Sequence, residues 1–254
     1  MTAFNVVIPA RHASQRLPGK PLLPIAGIPM IEHVFRRAGE SGANEIVIAT
    51  DDERIREAAS RFTDNICMTA TTHASGTDRI AEAVRQLGWP DDTIVVNLQG
   101  DEPLMPPGLL TTVARTLESH TDADMATLAA PLTDPQQLFD VNCVKVVVDR
   151  YGYALYFSRA AIPWKRDTFH AGQSAQKAWL DDVYRHLGIY AYRAAFLAGY
   201  AALPVSPIEQ MESLEQLRVL WNGGRIAVAF VDEAPPAGVD TAEDLARVAA
   251  ELIG

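Results

Sequence analysis

The chain has 254 residues, 48% of them hydrophobic, and a formal net charge of -10 at pH 7. A chain of this length and hydrophobicity can bury a substantial core, which excludes an intrinsically disordered protein and predicts one large domain, alone or with a smaller lobe. The acidic balance argues against a broad nucleic-acid or membrane-surface footprint, because either needs a basic face, and it favours a small-molecule partner.

The cysteines and the apolar runs indicate the compartment. Cys67 and Cys143 are too few for a disulfide framework and lack metal-ligand spacing, so we expect both in the core. No apolar run approaches the roughly 20 residues of a membrane span, and the first residues lack the pattern of a signal peptide. These features predict a soluble protein of a reducing cytoplasm without a membrane partner.

The first predicted element is a buried β-branched strand at residues 6–8, ended by Pro9. The loop that follows, residues 10–20, contains three cations and no carboxylate, and it leads into a helix. Because open α/β sheets bind ligands where their strands end, this local reversal of charge predicts a cradle for a nucleotide triphosphate. A solvated basic loop is the simpler alternative, and neither glycine-rich phosphate fingerprint is present. The three cations are Arg11, Arg16 and Lys20.

Strand-like and helical patterns then alternate along the chain. The strands are predicted at 45–50, 93–98 and 125–130, and the helices at 52–62, 77–87 and 108–119. This βα repetition predicts an α/β protein with a mainly parallel sheet. Residues 132–206 are richer in β patterns and are interrupted by a polar stretch at 165–182, so we expect a smaller inserted lobe there.

The last third of the chain contains a predicted helix at 207–222, a strand at 226–231 and a closing helix from Thr241. Ser206 and Glu209 form a capping box for the helix at 207–222, and Gly223 ends it. Its apolar stripe is expected to contain Ile208, Met211, Leu214, Leu217 and Leu220. Its neighbouring polar face is expected to contain Glu212, Glu215 and Gln216.

Carboxylates follow one of the central strands. Gln99, Asp101 and Glu102 come directly after the strand at 93–98, at the same sheet edge as the cation loop. Mg²⁺ takes oxygen ligands, typically one or two carboxylates plus substrate phosphates, so Asp101 is the leading metal-ligand candidate. Asp240 is a second candidate, although Asp240 with Glu243 equally fits a D-x-x-E helix cap.

Two further groups of residues are candidates for ligand contacts. Residues 75–77, Ser-Gly-Thr, open a predicted helix whose amides and hydroxyls could hold a nucleotide, while capping by Ser75 is an equal alternative. In the lobe, Arg159 suits a bidentate contact with a substrate carboxylate. His186 alone is more typical of a structural histidine than of a catalytic base.

Taken in order, the motifs resemble those of one family. They are IPARHASQRLPGKPL, SGTDR, VNLQGDEP, VKVV, YALYFSRAAIPW, RHLGIYAYR, LEQLRVLW and GVDTAEDL, and they extend from residue 8 to residue 245. With this set the chain resembles the 3-deoxy-manno-octulosonate cytidylyltransferase family, also called CMP-Kdo synthetases. The resemblance implies a Rossmann-like fold of the nucleotide-diphospho-sugar transferase type.

The resemblance also implies an activity and a set of site residues. CTP and the acidic sugar Kdo would give CMP-Kdo and pyrophosphate for bacterial lipopolysaccharide, with Mg²⁺ as cofactor and a homodimer as the assembly. Arg11 and Lys20 would bind the triphosphate, and Asp101 and Asp240 the magnesium. Further nucleotide contacts would come from Ala10, Ser75, Gly76 and Thr77. Kdo contacts would come from Gln99, Arg159, His186, Tyr190, Glu215 and Gln216.

Two rival functions remain open at this point. A CMP-sialate synthetase would share the nucleotide cradle and use a different acidic sugar, although the segments SRAAIPW and RHLGIYAYR favour Kdo. A non-enzymatic nucleotide sensor would need only the cradle. Since both metal ligands and a second substrate pocket have candidates here, we rank the sensor below the enzyme.

Overall fold

The computed structural model describes residues 2–13, 17–73, 75–166 and 180–253. Arg16 and most of the polar stretch predicted at 165–182 therefore lie outside the described residues. Within them, nine strands form one sheet whose main path has the order β11-β7-β10-β6-β1-β4-β5. These seven strands are β1 (Asn5–Ala10), β4 (Glu45–Thr50), β5 (Ile66–Met68), β6 (Ile94–Asn97), β7 (Met125–Pro131), β10 (Tyr184–Arg193) and β11 (Ile226–Phe230).

The parallel part of the sheet is centred on β1. It pairs in parallel with β4 and β6, and β4 pairs in parallel with β5. All six residues of β1 are buried, as its β-branched sequence predicted, but the strand continues through Pro9 to Ala10 instead of ending at the proline. The predicted mainly parallel α/β fold is confirmed.

Helices cover both faces of the sheet. The helices α1 (Met30–Gly39), α2 (Glu53–Ala59) and α4 (Pro107–Ser119) pack their apolar residues on one face. The helices α3 (Gly76–Leu87), α5 (Ala194–Tyr200) and α7 (Leu217–Trp221) pack on the other. Cys67 and Cys143 are buried free thiols, as expected.

Smaller elements complete the described fold. The short strands β2 (Pro24–Ile25) and β3 (Ile28–Pro29) form a hairpin against the closing helix α8 (Ala242–Ile253). Two 3-10 turns lie at Lys20–Leu22 and Pro135–Leu138. No helix among the described residues is both long enough and apolar enough to cross a bilayer.

The region at 132–206 joins the main sheet through its longest strand. Strand β10 runs antiparallel between β6 and β7, and its first residues also pair with β8 (Lys145–Val148). Strand β9 (Ala154–Ser158) adds to β8 in antiparallel fashion. The inserted lobe stays a prediction, and within its range β10 is a central strand of the large sheet.

The single helix predicted at 207–222 is wrong, because two short helices replace it. Helix α6 (Pro207–Glu212) begins with the predicted Ser206–Glu209 capping box, and α7 follows after a turn at Ser213. Ser213 adopts the left-handed conformation, with φ 52° and ψ 50°. A residue in that conformation cannot continue an α-helix.

Contacts from β9 explain the break. The Arg159 guanidinium donates to the carbonyls of Glu212 (2.6 Å) and Ser213 (3.4 Å), which a continuous helix would bond internally. The Ser158 hydroxyl donates to the Glu212 carboxylate at 2.6 Å. The predicted faces are wrong at Met211, which is 82% exposed, and at Gln216, which is only 3% exposed. The rest of the apolar stripe is confirmed, because Leu214 and Leu217 are buried.

Candidate active site

A cleft of about 810 Å³ opens at the carboxyl ends of the parallel strands. Its lining comes from the loop after β1, the start of α3, the turn after β6 and the segment before α8. This is the sheet edge at which α/β proteins bind ligands. The predicted site residues that line it are Ala10, Arg11, Lys20, Ser75, Gly76, Gln99, Asp101 and Asp240.

The best-defined feature of the cleft is a three-residue ionic cluster. The Lys20 ammonium donates to Asp101 Oδ2 at 2.7 Å, to Asp240 Oδ1 at 3.0 Å and to the Val239 carbonyl at 2.7 Å. Burial by itself would lower the pKa of Lys20, but the carboxylates of Asp101 and Asp240 outweigh it and raise that pKa. Lys20 therefore remains charged and holds the two predicted metal ligands together.

Two glycines allow the segments of this cluster to approach each other. A Cβ at Gly100 would lie 2.9 Å from the Pro9 carbonyl, and one at Gly238 would lie 2.9 Å from the Asp101 carbonyl. The Val239 amide donates to that same Asp101 carbonyl at 2.8 Å. Backbone contact therefore brings the carboxylates of Asp101 and Asp240 to one place.

The cap of α8 differs from the predicted D-x-x-E pair of Asp240 and Glu243. The Asp244 amide donates to the Thr241 hydroxyl at 3.2 Å, and Asp244 Oδ2 accepts from the Thr241 amide at 3.0 Å. The capping box is therefore one residue further along, at Thr241 and Asp244. The side chain of Asp240 instead faces Lys20.

The oxygens around Lys20 fit a hard divalent cation. Two carboxylate oxygens and one carbonyl oxygen surround a single positive charge, and Mg²⁺ prefers such ligands. Across the described residues, no group of three or more His, Cys, Asp and Glu side chains could hold a metal ion. The protein would thus offer two carboxylates, and phosphates or waters would complete the coordination.

Glu102 does not add a third negative charge to this region at neutral pH. Burial, reinforced by the neighbouring Asp101 carboxylate, raises the pKa of Glu102 to about 8. Its Oε2 atom is buried and has no hydrogen-bond partner within the described part of the chain.

The start of α3 forms another wall of the cleft. Ser75 caps the helix through a capping box with Asp78, so the capping interpretation of Ser75 is confirmed, and Ser75 also lines the cleft. A Cβ at Gly76 would lie 3.6 Å from Pro9 Cγ and 3.8 Å from Gln99 Oε1. Thr77 is buried behind this wall, with its hydroxyl 3.4 Å from the Tyr192 hydroxyl.

Several residues of the lining were absent from the predictions. They include His73, which is hydrogen-bonded to Glu82, and Arg79, whose guanidinium donates to Asp51 at 2.8 Å. Arg79 could have been found from the motif SGTDR, because it lies one helical turn after Gly76. The other missed residues are Pro9, Ala13, Pro21 and Gly100.

Strand β10 carries two of the predicted sugar contacts beside the cleft. Tyr190 pairs in register with Asn97, two residues before Gln99. Burial lowers the pKa of His186 to about 3, helped by the charge of Arg185, and the Thr127 hydroxyl lies 2.9 Å from its Nε2. Burial, reinforced by Glu215, raises the pKa of Tyr190 well above its usual value. Both side chains are therefore uncharged at neutral pH.

The turn between α6 and α7 contributes Glu215 and Gln216. Burial raises the pKa of Glu215, although a hydrogen bond from Thr77 opposes this shift. Gln216 is buried, and its Nε2 has no hydrogen-bond partner among the described residues. Neither residue lines the cleft itself, and the same holds for Thr77, His186 and Tyr190.

Arg159 lies farther along the same side. Besides its bonds to the α6 terminus, its Nη1 donates to the Val141 carbonyl at 2.7 Å. Its side chain thus joins the loop at Val141 to the end of α6. Its role as a ligand of a substrate carboxylate stays a prediction, as do the individual roles of the other site residues.

Comparison with known proteins identifies relatives over almost the whole chain. Residues 5–226 match the model of the cytidylyltransferase family. Curated proteins named 3-deoxy-manno-octulosonate cytidylyltransferase are 54% identical in Nitrosococcus oceani, covering 99% of this chain and 97% of the relative, and 55% identical in Tolumonas auensis, covering 97% and 95%.

A solved structure is similar as well. It is that of CMP:2-keto-3-deoxy-manno-octonic acid synthetase complexed with CTP, with a TM-score of 0.87 and 40% identity. The similarity covers 99% of this chain and 98% of that one.

Proposed function

This chain belongs to the 3-deoxy-manno-octulosonate cytidylyltransferase family, and from that premise we propose that it transfers the cytidylyl group of CTP to Kdo. The products are CMP-Kdo and pyrophosphate. The observation that carries the proposal is the cleft at the sheet edge, where the predicted triphosphate ligands and the predicted metal ligands meet. A nucleotide sensor would need the first group only.

The reaction is an attack on the α-phosphorus of CTP. The anomeric hydroxyl oxygen of Kdo forms the new P–O bond and gives up its proton to water. The bond from the α-phosphorus to the bridging oxygen breaks, and pyrophosphate leaves on the opposite side. Phosphoryl-type transfer depends mainly on positioning and on stabilising the charge that develops. Arg11 and Lys20 serve both purposes, because they place positive charge beside the triphosphate.

We propose Mg²⁺ as the cofactor, held by Asp101 and Asp240. When bound, the ion supplies charge neutralisation at the phosphates and lowers the pKa of a hydroxyl that it contacts. Lys20 lies between these two carboxylates, so a phosphate in the cleft would offer its ammonium a third anionic partner. The pairing of Lys20 with both carboxylates supports their use as a cation site.

We propose that Kdo lies on the side of the cleft that faces β10. Gln99 forms the wall there, and the uncharged side chains of Tyr190 and His186 suit the hydroxyls of a sugar. Arg159 and Gln216 would supply donors to the sugar carboxylate and hydroxyls.

We further propose a cytoplasmic homodimer that serves bacterial lipopolysaccharide synthesis. The exposed side chains of Leu155, Trp164 and Met211 support an assembly, because a second copy could cover them. The two free buried thiols are compatible with a reducing compartment. Light scattering coupled to gel filtration tests the assembly, and a mass of one chain would overturn it.

The activity itself is tested by pyrophosphate release from CTP and Mg²⁺. The assay is run with Kdo, with sialic acid as the parallel acceptor, and without a sugar. Release with Kdo alone is the expected result. Release with sialic acid would reassign the sugar, and tight CTP binding without any release would indicate the sensor.

A further inference from the structure

The first turn of α8 binds the segment that carries Asp240. Asp244 Oδ2 accepts from the Asp240 amide at 3.1 Å, in addition to its bonds with Thr241. Arg247 Nη2 donates to the Ala237 carbonyl at 2.7 Å and to the Gly238 carbonyl at 3.3 Å. Two side chains of one helix thus hold the backbone on both sides of Val239.

These contacts exceed what a helix cap requires. A capping box needs only the reciprocal bonds between Thr241 and Asp244. The bond to the Asp240 amide and the two bonds from Arg247 reach residues that precede the helix. Arg247 also lies 3.4 Å from Asp244 Oδ1, so the two side chains act together.

The segment that they hold is the one that meets Asp101. The Val239 amide donates to the Asp101 carbonyl, and the Val239 carbonyl accepts from Lys20. A small shift of residues 237–240 would therefore separate the Asp240 carboxylate from Asp101. Catalytic geometry is sensitive to displacements of about 1 Å.

We propose that Asp244 and Arg247 are positioning residues, which hold the Asp240 carboxylate beside Asp101 so that both can ligate one divalent cation. This inference rests on the proposed function. Neither residue would touch the nucleotide or the sugar, and each acts through the backbone of residues 237–240.

The test compares Asp244→Asn and Arg247→Met with the control Glu243→Gln, which removes the same charge as Asp244→Asn from an exposed side chain in the same turn. Mn²⁺ binding is measured by electron paramagnetic resonance in the presence of CTP without Kdo. We expect Mn²⁺ to bind roughly 10- to 100-fold more weakly to both variants, as for other supports of metal ligands, and no change for the control. Raising the Mg²⁺ concentration should restore kcat.

A second readout does not depend on any metal. Hydrogen exchange of the Val239 amide should be faster in both variants, whereas amides in the middle of β1 should keep their protection. Arg247→Lys retains the charge and one donor, and it should lie between the wild type and Arg247→Met. This variant keeps the test valid if Arg247→Met does not fold.

Mn²⁺ affinity that is unchanged in folded variants, or equally weakened in Glu243→Gln, would overturn the inference. A loss of thermal stability alone would assign Asp244 to helix capping only. The proposed function fails separately, when the wild type releases no pyrophosphate from CTP and Kdo.

Discussion

The two sides of the candidate site, around Lys20 and on β10, differ in the charge of their side chains. Around Lys20, charged side chains from three distant segments pair with one another, and the carboxylates remain partly exposed. On β10, His186 and Tyr190 are buried, and burial shifts the pKa of each toward its uncharged form. Under the proposed function, the first side would bind the triphosphate with its cation, and the second would contact the hydroxyls of the sugar.

The difference follows from the origin of each side. The charged side is built from loops at the ends of β1 and β6 and from the segment before α8, where water can reach. The uncharged side comes from a central strand covered by helices. Ionised groups survive in the interior only when paired, so a buried strand offers neutral hydrogen-bonding groups instead.

The largest effect is expected at a buried ion pair between α6 and α7, two helices that follow β10 in the chain. Arg218 donates to Glu209 at 2.6 and 2.9 Å, and both side chains are almost buried. Arg218→Met leaves the Glu209 carboxylate without this partner and should lower the free energy of unfolding by about 3–5 kcal/mol. Urea denaturation of both proteins measures this change in the free energy of unfolding.

The matched control for this pair is Arg36→Met, which breaks an exposed pair with Glu32. Arg36→Met should lower the free energy of unfolding by less than about 0.5 kcal/mol. Equal losses for Arg218→Met and Arg36→Met would contradict the expected difference between a buried and an exposed ion pair.

The next effect concerns the charged side. Asp101→Asn keeps the shape and removes one charge, so kcat for pyrophosphate release should fall by about 10²- to 10³-fold. Asp92→Asn removes the same charge from an exposed position before the other end of β6 and should leave kcat unchanged. Near-full magnesium-dependent activity of Asp101→Asn would refute the metal assignment.

A smaller effect on stability is expected when the pH is lowered. The pKa of His186 is about 3 in the fold, below its unfolded value of about 6.5, so only the unfolded chain takes up this proton between those values. Stability from this group is therefore complete above pH 6.5 and declines as the pH falls. Between pH 7 and pH 5 the wild type should lose about 2 kcal/mol more than His186→Gln. Urea midpoints at both pH values measure the difference, and equal losses would contradict a neutral His186.

The smallest effect tests a residue with two roles. Ser75→Ala removes the cap of α3 and should cost about 1 kcal/mol of stability. If Ser75 also contacts the nucleotide, KM for CTP should rise about 2- to 10-fold. Asp134→Ala removes the cap of the distant 3-10 turn and should leave KM unchanged. An unchanged KM in Ser75→Ala would limit Ser75 to capping.

Local patterns predicted much of this architecture. The strands β1, β4, β6, β7 and β11 follow from sequence patterns within a few residues, and so do the cap at Ser75 and the capping box at Ser206. The short strand β5 was not predicted. The cap of α8 was misplaced by one position because D-x-x-E and T-x-x-D overlap in the sequence. Both patterns are present in the sequence, and the structure shows that the cap is formed by Thr241 and Asp244.

Long-range contacts explain most of the rest. The break at Ser213 depends on Arg159, which lies 54 residues away in the chain. Strand β10 lies between β6 and β7 and runs antiparallel to both. This position depends on pairing between strands that are distant in the sequence, so local patterns do not predict it. The local pattern around Asp240 fits a helix cap and a metal ligand equally well. Only the family resemblance favoured the assignment of Asp240 as a metal ligand.

The ionic cluster around Lys20 can form only after the last of its residues has been synthesised. Lys20 is separated from Asp101 by 81 residues and from Asp240 by 220. At a translation rate of about 5–20 residues per second, Lys20 leaves the ribosome roughly 10–40 s before its last partner is made. A nascent chain can complete the parallel strands β1, β4, β5 and β6 early, yet it cannot close the ionic cluster until Asp240 has been added. Appearance of activity therefore reports that the last segment of the chain has docked.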